Sequence, residues 1–418
     1  MCYIFISLLK PDKAIFSLTN QKNDLVILAS FIRPPGEVYG SEIRFLRTVK
    51  TLRKLNTEII PITNGRLVSK ITNLVQDRYV VPLHLPRNLS KTLLNYYYVM
   101  KTIISILIKP PKFDLTLSLD GNLMDMLASF LISYLLRKPF VVLVHHAKEW
   151  ESTTWKDYPK TVRRRGLKAA TVLTVGRIIR RFIARRSTLI MAVSQASRNE
   201  YSRYWGIPSS HIFVTGNGPN IMVQNLIPMK ERKIDVLYIG RFSPSKGIDL
   251  LPLICEQLIQ KYSNLRMVAV GGSNKDLVSI QKKVAELGLE RNLEIKGYLP
   301  DSELEKIVED SKIFIMPSYY EGFSIATLEA MCAGCVCVIS DIESLRRLYS
   351  GISLFAKVGD ASDFAQVISS LLDSPNEMER MSMRSKEFSK LFDWDRIIQR
   401  ELSVYKNIVY KNKSFIRK

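Results

Sequence analysis

At 418 residues, 46% hydrophobic and 24% charged, the chain has room for two or three domains that each bury a core, and a disordered polymer is excluded. Lys and Arg exceed Asp and Glu by 61 to 39, a formal net charge of +22. Such a charge points to an anionic partner (nucleic acid, an acidic membrane surface or a phosphorylated substrate) without choosing among them. The five cysteines, Cys2, Cys255, Cys332, Cys335 and Cys337, fit a reducing compartment better than a disulfide scaffold.

Residues 1–23 read as an N-terminal tail. Met1 to Leu9 is apolar, but Lys10-Pro11-Asp12-Lys13 follows it, the reverse of the charge order of a secretion signal. The longest apolar run, Leu127 to Val144, is cut by Arg137-Lys138-Pro139, short of the ~18 residues a spanning helix needs. The expected location is therefore cytoplasmic. From Leu25 the chain alternates. A strand at Leu25 to Ala29 leads through a Pro- and Gly-rich loop, Phe31 to Gly40, into a helix from Ser41. Strands follow at Glu58 to Ile62 and Leu115 to Leu119, a helix at Leu123 to Leu136, a strand at Phe140 to Val144, a strand at Thr188 to Val193 and a helix at Gln195 to Trp205. Asn217-Gly218-Pro219-Asn220 is a hinge of turn residues. The alternation then restarts: strand Asp235 to Ile239, helix Ile248 to Tyr262, strand Met267 to Val270, helix Leu277 to Leu287, and strands Leu293 to Lys296 and Ile313 to Met316. Strand and helix in alternation predict doubly wound parallel sheets, with ligands beyond the carboxyl ends of the strands.

Between the two strands that flank it, residues 150–187 form a basic insertion. Val172, Val175, Ile179, Phe182 and Ile183 fall at helical spacing, with Arg177, Arg181 and Arg185 opposite. That profile fits either a helix on an anionic membrane, through residues 160–186, or a helix packed on the protein's own core.

The most distinctive segment runs from Pro317 to Gly334. A helix from Ser324 has the inward stripe Ile325, Leu328, Glu329 and Cys332, so Glu329 occupies a position that the pattern reserves for an apolar residue. Glu321 precedes the helix start, where unpaired N–H groups attract anions. After the strand at Asp235, Gly240-Arg241 and Lys246-Gly247 offer two cations to a diphosphate; alternatively they are solvated loop cations. Gly271-Gly272 end the next strand in a donor-rich turn. His145-His146 end a strand of the first half, and Gly40-Ser41 lead into its first helix without a Gly-x-Gly-x-x-Gly fingerprint, which argues against a dinucleotide oxidoreductase. Cys335 and Cys337 alternate in a buried strand, with no second Cys/His cluster to complete a metal site.

Gly240-Arg241, Lys246-Gly247, Glu321-Gly322-Phe323, Glu329-Ala330-Met331 and Asn217-Gly218 together resemble the retaining group 1 glycosyltransferases (glycosyltransferase family 4) over roughly residues 24–405. The resemblance implies an α/β GT-B architecture, two Rossmann-like domains facing each other across a cleft. It implies an acceptor-side domain at 24–222, a nucleotide-sugar domain at 223–393, and a crossover helix with a basic tail at 394–418 returning to the first domain. It also implies roles. Arg241 and Lys246 neutralise the departing diphosphate, helped by the backbone at Gly322, Phe323, Ser324 and Ile325. Glu329 holds the ribose hydroxyls and Glu321 those of the transferred sugar. His145 lies near that sugar, while Gly40, Gly240, Gly271 and Gly272 allow close approach to the donor. The chain departs from the family at Gly40-Ser41, where two glycines are usual, at Pro219-Asn220 in the hinge, and at His146, where an Asp is common. The expected partners are a nucleotide-diphosphate sugar and a glycan or lipid-linked acceptor, with no nucleic acid, metal or cofactor. Two other functions fit less of the pattern: a nucleotide-sugar epimerase of the same fold, and a non-catalytic basic protein binding membrane or nucleic acid.

Overall fold

A computed structural model describes residues 25–32, 40–75, 78–82, 89–145, 167–221, 223, 226–272 and 274–416. The tail, His146 and the part of the basic insertion at 150–166 lie outside them. The described residues form two compact units, one of 25–216 with 394–416 and the other of 217–393.

The first domain runs β1 (Val26–Phe31), α1 (Gly40–Lys54), β2 (Glu58–Asn64), α2 (Gly65–Ile71), β3 (Tyr79–Val81), α3 (Leu89–Ile108), β4 (Leu115–Ser118), α4 (Leu123–Leu135), β5 (Phe140–Val144), α5 (Leu167–Ala184), β6 (Leu189–Ala192), α6 (Gln195–Trp205) and β7 (Ile212–Val214). The seven strands are parallel in the order β3-β2-β1-β4-β5-β6-β7. Right-handed crossovers then put α1 and α2 on one face and α3 to α6 on the other. Local signals start and stop these helices. The Asn122 side chain accepts the Asp125 N–H at 3.1 Å to cap α4, and Ser194 accepts that of Ser197 at 3.1 Å to cap α6. Gly206, at φ 60°, ends α6 in the left-handed conformation. Val99, Ile103 and Ile106 of α3 pack with Met124 and Ile132 of α4 on Leu28 and Ile60 of the sheet.

The second domain runs β8 (Ile234–Ile239), α7 (Leu251–Ile259), β9 (Met267–Val270), α8 (Asn274–Glu286), β10 (Leu293–Lys296), α9 (Asp301–Glu309), β11 (Ser311–Met316), α10 (Ile325–Cys332), β12 (Val336–Ser340), α11 (Glu343–Tyr349), β13 (Leu354–Ala356), α12 (Ala361–Leu372) and α13 (Pro375–Ser389). Its six parallel strands follow β10-β9-β8-β11-β12-β13. Both sheets thus begin with the doubly wound order in which winding reverses after the third strand, at β1/β4 and at β8/β11. Ile254, Phe364, Ile368 and Val338 are fully buried in one core, each worth about 1.5–3 kcal/mol in transfer free energy.

The final helix, α14 (Trp394–Ile416), belongs to the first domain and packs on α1. Its Glu401 forms a fully buried ion pair with Arg44 of α1. Arg44 also donates to the Gly216 carbonyl and lies over the Trp394 ring at 5.1 Å, while Thr215 and Tyr405 donate hydroxyl hydrogen bonds to Glu401. These bonds offset part of the cost of burying a pair of charges.

Three sequence expectations are corrected. The helix expected from Ile248 opens instead as a 3-10 turn, Ile248–Leu250, and becomes α-helical at Leu251, where Pro252 suits a first turn that has no N–H partner to lose. In α10, the expected inward stripe gives way to burial from Thr327 through Cys332, because strands and α13 enclose the helix, whereas Ile325 is half-exposed. In α5 the polarity is partly inverted. Arg177 and Arg180 are buried, while Val172, Val175 and Phe182 face solvent. Small residues, Ala170, Gly176 and Ala184, are buried on α5, which packs on α4, and the long arginine stems can be buried while their polar ends find partners.

Candidate functional site

The loops after β8 and β11 leave the second sheet at its winding reversal, and the loop after β9 leaves beside them. Glycines hold these loops together. Gly247 sits at φ +68°, and a Cβ there would lie 2.0 Å from the Pro317 carbonyl oxygen. Gly271, at φ +130°, would drive a Cβ to 2.1 Å from the Gly240 carbonyl oxygen. No other residue fits either contact. Backbone bonding completes the joint, with Tyr319 N–H donating to Ser245 O at 3.1 Å.

This arrangement brings Lys246 and Glu321, 75 residues apart in sequence, into an ion pair with both side chains largely buried. Ser344 of α11 donates to the Glu321 carbonyl, fixing the backbone at that residue. Arg241 lies half-buried on the same loop as Lys246, its carbonyl accepting the Tyr238 hydroxyl at 3.0 Å. Burial, with the Glu321 charge nearby, pushes the Tyr238 phenol far above its usual range, so it stays a donor.

Ser324 begins α10 at φ 60°, the one described non-glycine residue of the second domain in the left-handed region. Its hydroxyl accepts the Thr327 N–H at 3.3 Å, while the Phe323 and Ser324 carbonyls accept the Tyr349 hydroxyl at 3.0 and 3.1 Å. The strained turn is thus clamped from α11. The result is a helix start whose first N–H groups are directed toward the loop that carries Glu321. Glu329 is buried on the next turn and accepts the Asn220 N–H at 3.0 Å, and the Asn220 side chain in turn bonds Asp301 at 3.0 Å. The buried carboxylate inferred from its helical position is therefore satisfied by the hinge backbone. Gly240, Gly271, Gly272, Gly322 and Phe323 all lie within these loops.

In the first domain, His145 follows β5, half-buried. Its Nε2 hydrogen donates to Leu119 O at 3.2 Å, and its own carbonyl accepts the Ser197 hydroxyl at 3.1 Å. Gly40 is the first residue of α1, and the loop before it, 33–39, is outside the described residues. Beside His145, the β4–α4 loop and the first turn of α4 hold residues that the sequence reading missed. The Asp125 carboxylate accepts the Ser118 hydroxyl at 2.6 Å and the Asp120 N–H at 3.0 Å. Burial, with the Asp120 charge adding to it, raises its carboxyl to about 7. Tyr238, Ser344 and Tyr349 were also missed; they act through hydroxyls on backbone carbonyls, which no local pattern reveals. Cys332, Cys335 and Cys337 are buried, and burial lifts the Cys335 thiol to about 11. Among the described residues no group of His, Cys, Asp or Glu is placed to hold a metal, and no helix is long and apolar enough to cross a membrane. An open cavity of about 350 Å³ lined by Arg185, Ile207, Pro208, Ser210 and His211 shares no residue with the candidate set.

Residues 221–388 match the family described as glycosyl transferases group 1, and residues 38–221 match glycosyltransferase family 4. The O-antigen chain mannosyltransferase B of Escherichia coli is 27% identical over 233 residues, 52% of this chain and 60% of that protein. A GDP-mannose:cellobiosyl-diphosphopolyprenol alpha-mannosyltransferase of Xanthomonas oryzae is 27% identical over 177 residues, 41% of this chain and 46% of that protein. The chain thus spans about half the length of these curated relatives. The crystal structure of Anabaena Alr3699/HepE in complex with UDP superposes with a TM-score of 0.70 at 16% identity, covering 92% of this chain and 100% of that one. With consecutive family matches from residue 38 to 388 and two doubly wound parallel sheets, the chain belongs to the group 1 glycosyltransferases of GT-B fold.

Proposed function

We propose that the protein is a metal-independent, retaining hexosyltransferase that moves a sugar from a nucleotide-diphosphate donor to a hydroxyl of a lipid-linked or membrane-proximal glycan. The observation that carries this reading is the Lys246–Glu321 pair, held at the winding reversal of the second sheet beside Arg241 and the start of α10. A carboxylate for sugar hydroxyls and a cation for phosphate oxygens are then one bonded unit. In the reaction the bond from the sugar C1 to the donor phosphate oxygen breaks. The acceptor oxygen bonds C1 on the same face, and its proton passes to the departing phosphate. Arg241, Lys246 and the first N–H groups of α10 take up the developing negative charge, so two fixed cations supply what a divalent metal would. Glu329 binds the ribose hydroxyls and Glu321 those of the transferred sugar. They orient the donor and are not an acid and nucleophile pair of the glycosidase kind. Gly40 and His145 keep the roles that the resemblance implies. The mannosyltransferase relatives, one of them acting on a diphosphopolyprenol-linked sugar, support the choice of acceptor class. The test is nucleotide release from a panel of UDP- and GDP-sugars with and without membrane extract, with the product anomer read by NMR. Acceptor-dependent release with the donor's configuration kept is expected. An inverted product would overturn retention, and an epimerised sugar formed without acceptor would overturn transfer.

A further inference from the structure

Three adjoining helices of the first domain expose apolar side chains in rows. On α3, Leu93, Tyr97, Met100, Ile104 and Ile108 stand out of one helical face at intervals of three and four residues, Ile108 being 79% exposed. α4 packs against both α3 and α5. Its last turn exposes Tyr134 (69%) and Leu135, and α5 exposes Val172, Val175, Ile178 and Phe182. Single exposed apolar residues are ordinary, whereas two parallel ridges on three adjoining helices are not.

The charge around this face has one sign. α3, α4 and α5 carry a single carboxylate, Asp125, and it is fully buried. Lys101, Lys109, Arg137 and Arg186 are exposed along or just beyond the same helices, with Arg186 stacked on the Phe182 ring at 3.6 Å, while Arg181 and Arg185 donate to the Trp205 carbonyl at the end of α6. A second copy docking here would set one basic rim against another with no acid to answer it. An acidic bilayer answers both features, taking the ridges into its headgroup region and the rim onto its phosphates. We infer that the α3–α4–α5 face docks the protein on an anionic membrane surface. The ligand side is thus the apolar ridges of three helices, with Lys101, Lys109, Arg137 and Arg186 as its basic rim. The donor site is not needed for this step.

The experiment is flotation of the full chain with vesicles of equal parts phosphatidylglycerol and phosphatidylcholine, and with phosphatidylcholine alone. Ile104→Ser with Ile108→Ser, and Lys101→Glu with Lys109→Glu, change exposed positions only; Val278→Ser on α8 is the control. Binding to the anionic vesicles is expected, with each α3 double variant lowering the partition coefficient by about tenfold or more and the control unchanged. Circular dichroism melting confirms that the variants fold. Recovery of the α3 variants equal to wild type would overturn the assignment, as would equal binding to both vesicle types. Sedimentation velocity without lipid adds a third arm: a dimer that the same substitutions dissolve would give the face to a second copy.

Discussion

The two domains share a strand order and differ in where they put their polar groups. The second domain turns its distinctive polar residues toward one end of its sheet, where Lys246, Glu321 and Arg241 lie on loops locked by Gly247 and Gly271, and Glu329 on α10. The first buries charge deep between helices (Arg44 with Glu401, and Arg177 and Arg180 on α5) and leaves apolar side chains in solvent. One topology thus supports two unlike uses. Loops at a winding reversal can be varied for chemistry while the helices carry whatever surface a partner requires.

Substitutions can break or sharpen this contrast. The largest effect is expected from Lys246→Ala or Glu321→Ala, each lowering kcat/KM by about a hundredfold to a thousandfold, with circular dichroism confirming that the variant still folds although its largely buried partner is left unpaired. A variant that keeps near-native turnover would remove the pair from the site. Next in size, Glu401→Ala should destabilise the first domain by about 3–5 kcal/mol, because Arg44 is left charged and buried; urea unfolding followed by circular dichroism reads it. Gly247→Ala should cost about 1–3 kcal/mol and most of the activity, since the new methyl meets the Pro317 carbonyl oxygen in a backbone conformation it disfavours. A change that left both intact would show the loop joint to be slack.

A smaller effect concerns pH. The native chain holds a proton on Asp125 up to about 7, whereas an unfolded Asp releases it near 3.8. Across that interval the folded state binds more protons, so its stability falls as pH rises. Asp125→Asn should flatten that fall, as seen in unfolding midpoints between the two values; an unchanged slope would assign the titration elsewhere. The smallest expected change is Arg380→Ala, which removes an exposed, solvent-screened ion pair with Glu377 and should leave the urea unfolding midpoint unchanged within error.

The second domain was the more legible from its residues alone. Its strands are short apolar runs closed by glycine, and the misplaced Glu329 announced a buried carboxylate before any fold was known. What linear reading missed were contacts made across the chain. Lys246 reaches Glu321, Tyr349 clamps Ser324, and Asn220 supplies the donor to Glu329, none of them visible in local spacing. In the first domain the error lay in polarity. Periodicity marked α5 as amphipathic, but which of its arginines are buried (Arg177 and Arg180) is decided by packing across the chain, which spacing does not show. The short strands β3 and β13 and the long helix α3 also went unread, the strands because three residues carry almost no period.

The clasp between Arg44 and Glu401 has a consequence for dissecting the gene. Residues 217–393 form one uninterrupted stretch, so a fragment with those ends carries every strand of its sheet. A fragment of 25–216 has lost the helix that neutralises its buried guanidinium. We predict that the former expresses as a cooperatively folding unit and that the latter does so only when 394–416 is rejoined through a linker, with circular dichroism melting as the readout. Equal behaviour of the two bare fragments would show the clasp to be dispensable. Modularity here would then be lopsided: one half is a continuous stretch, and the other needs residues 394–416 from beyond it.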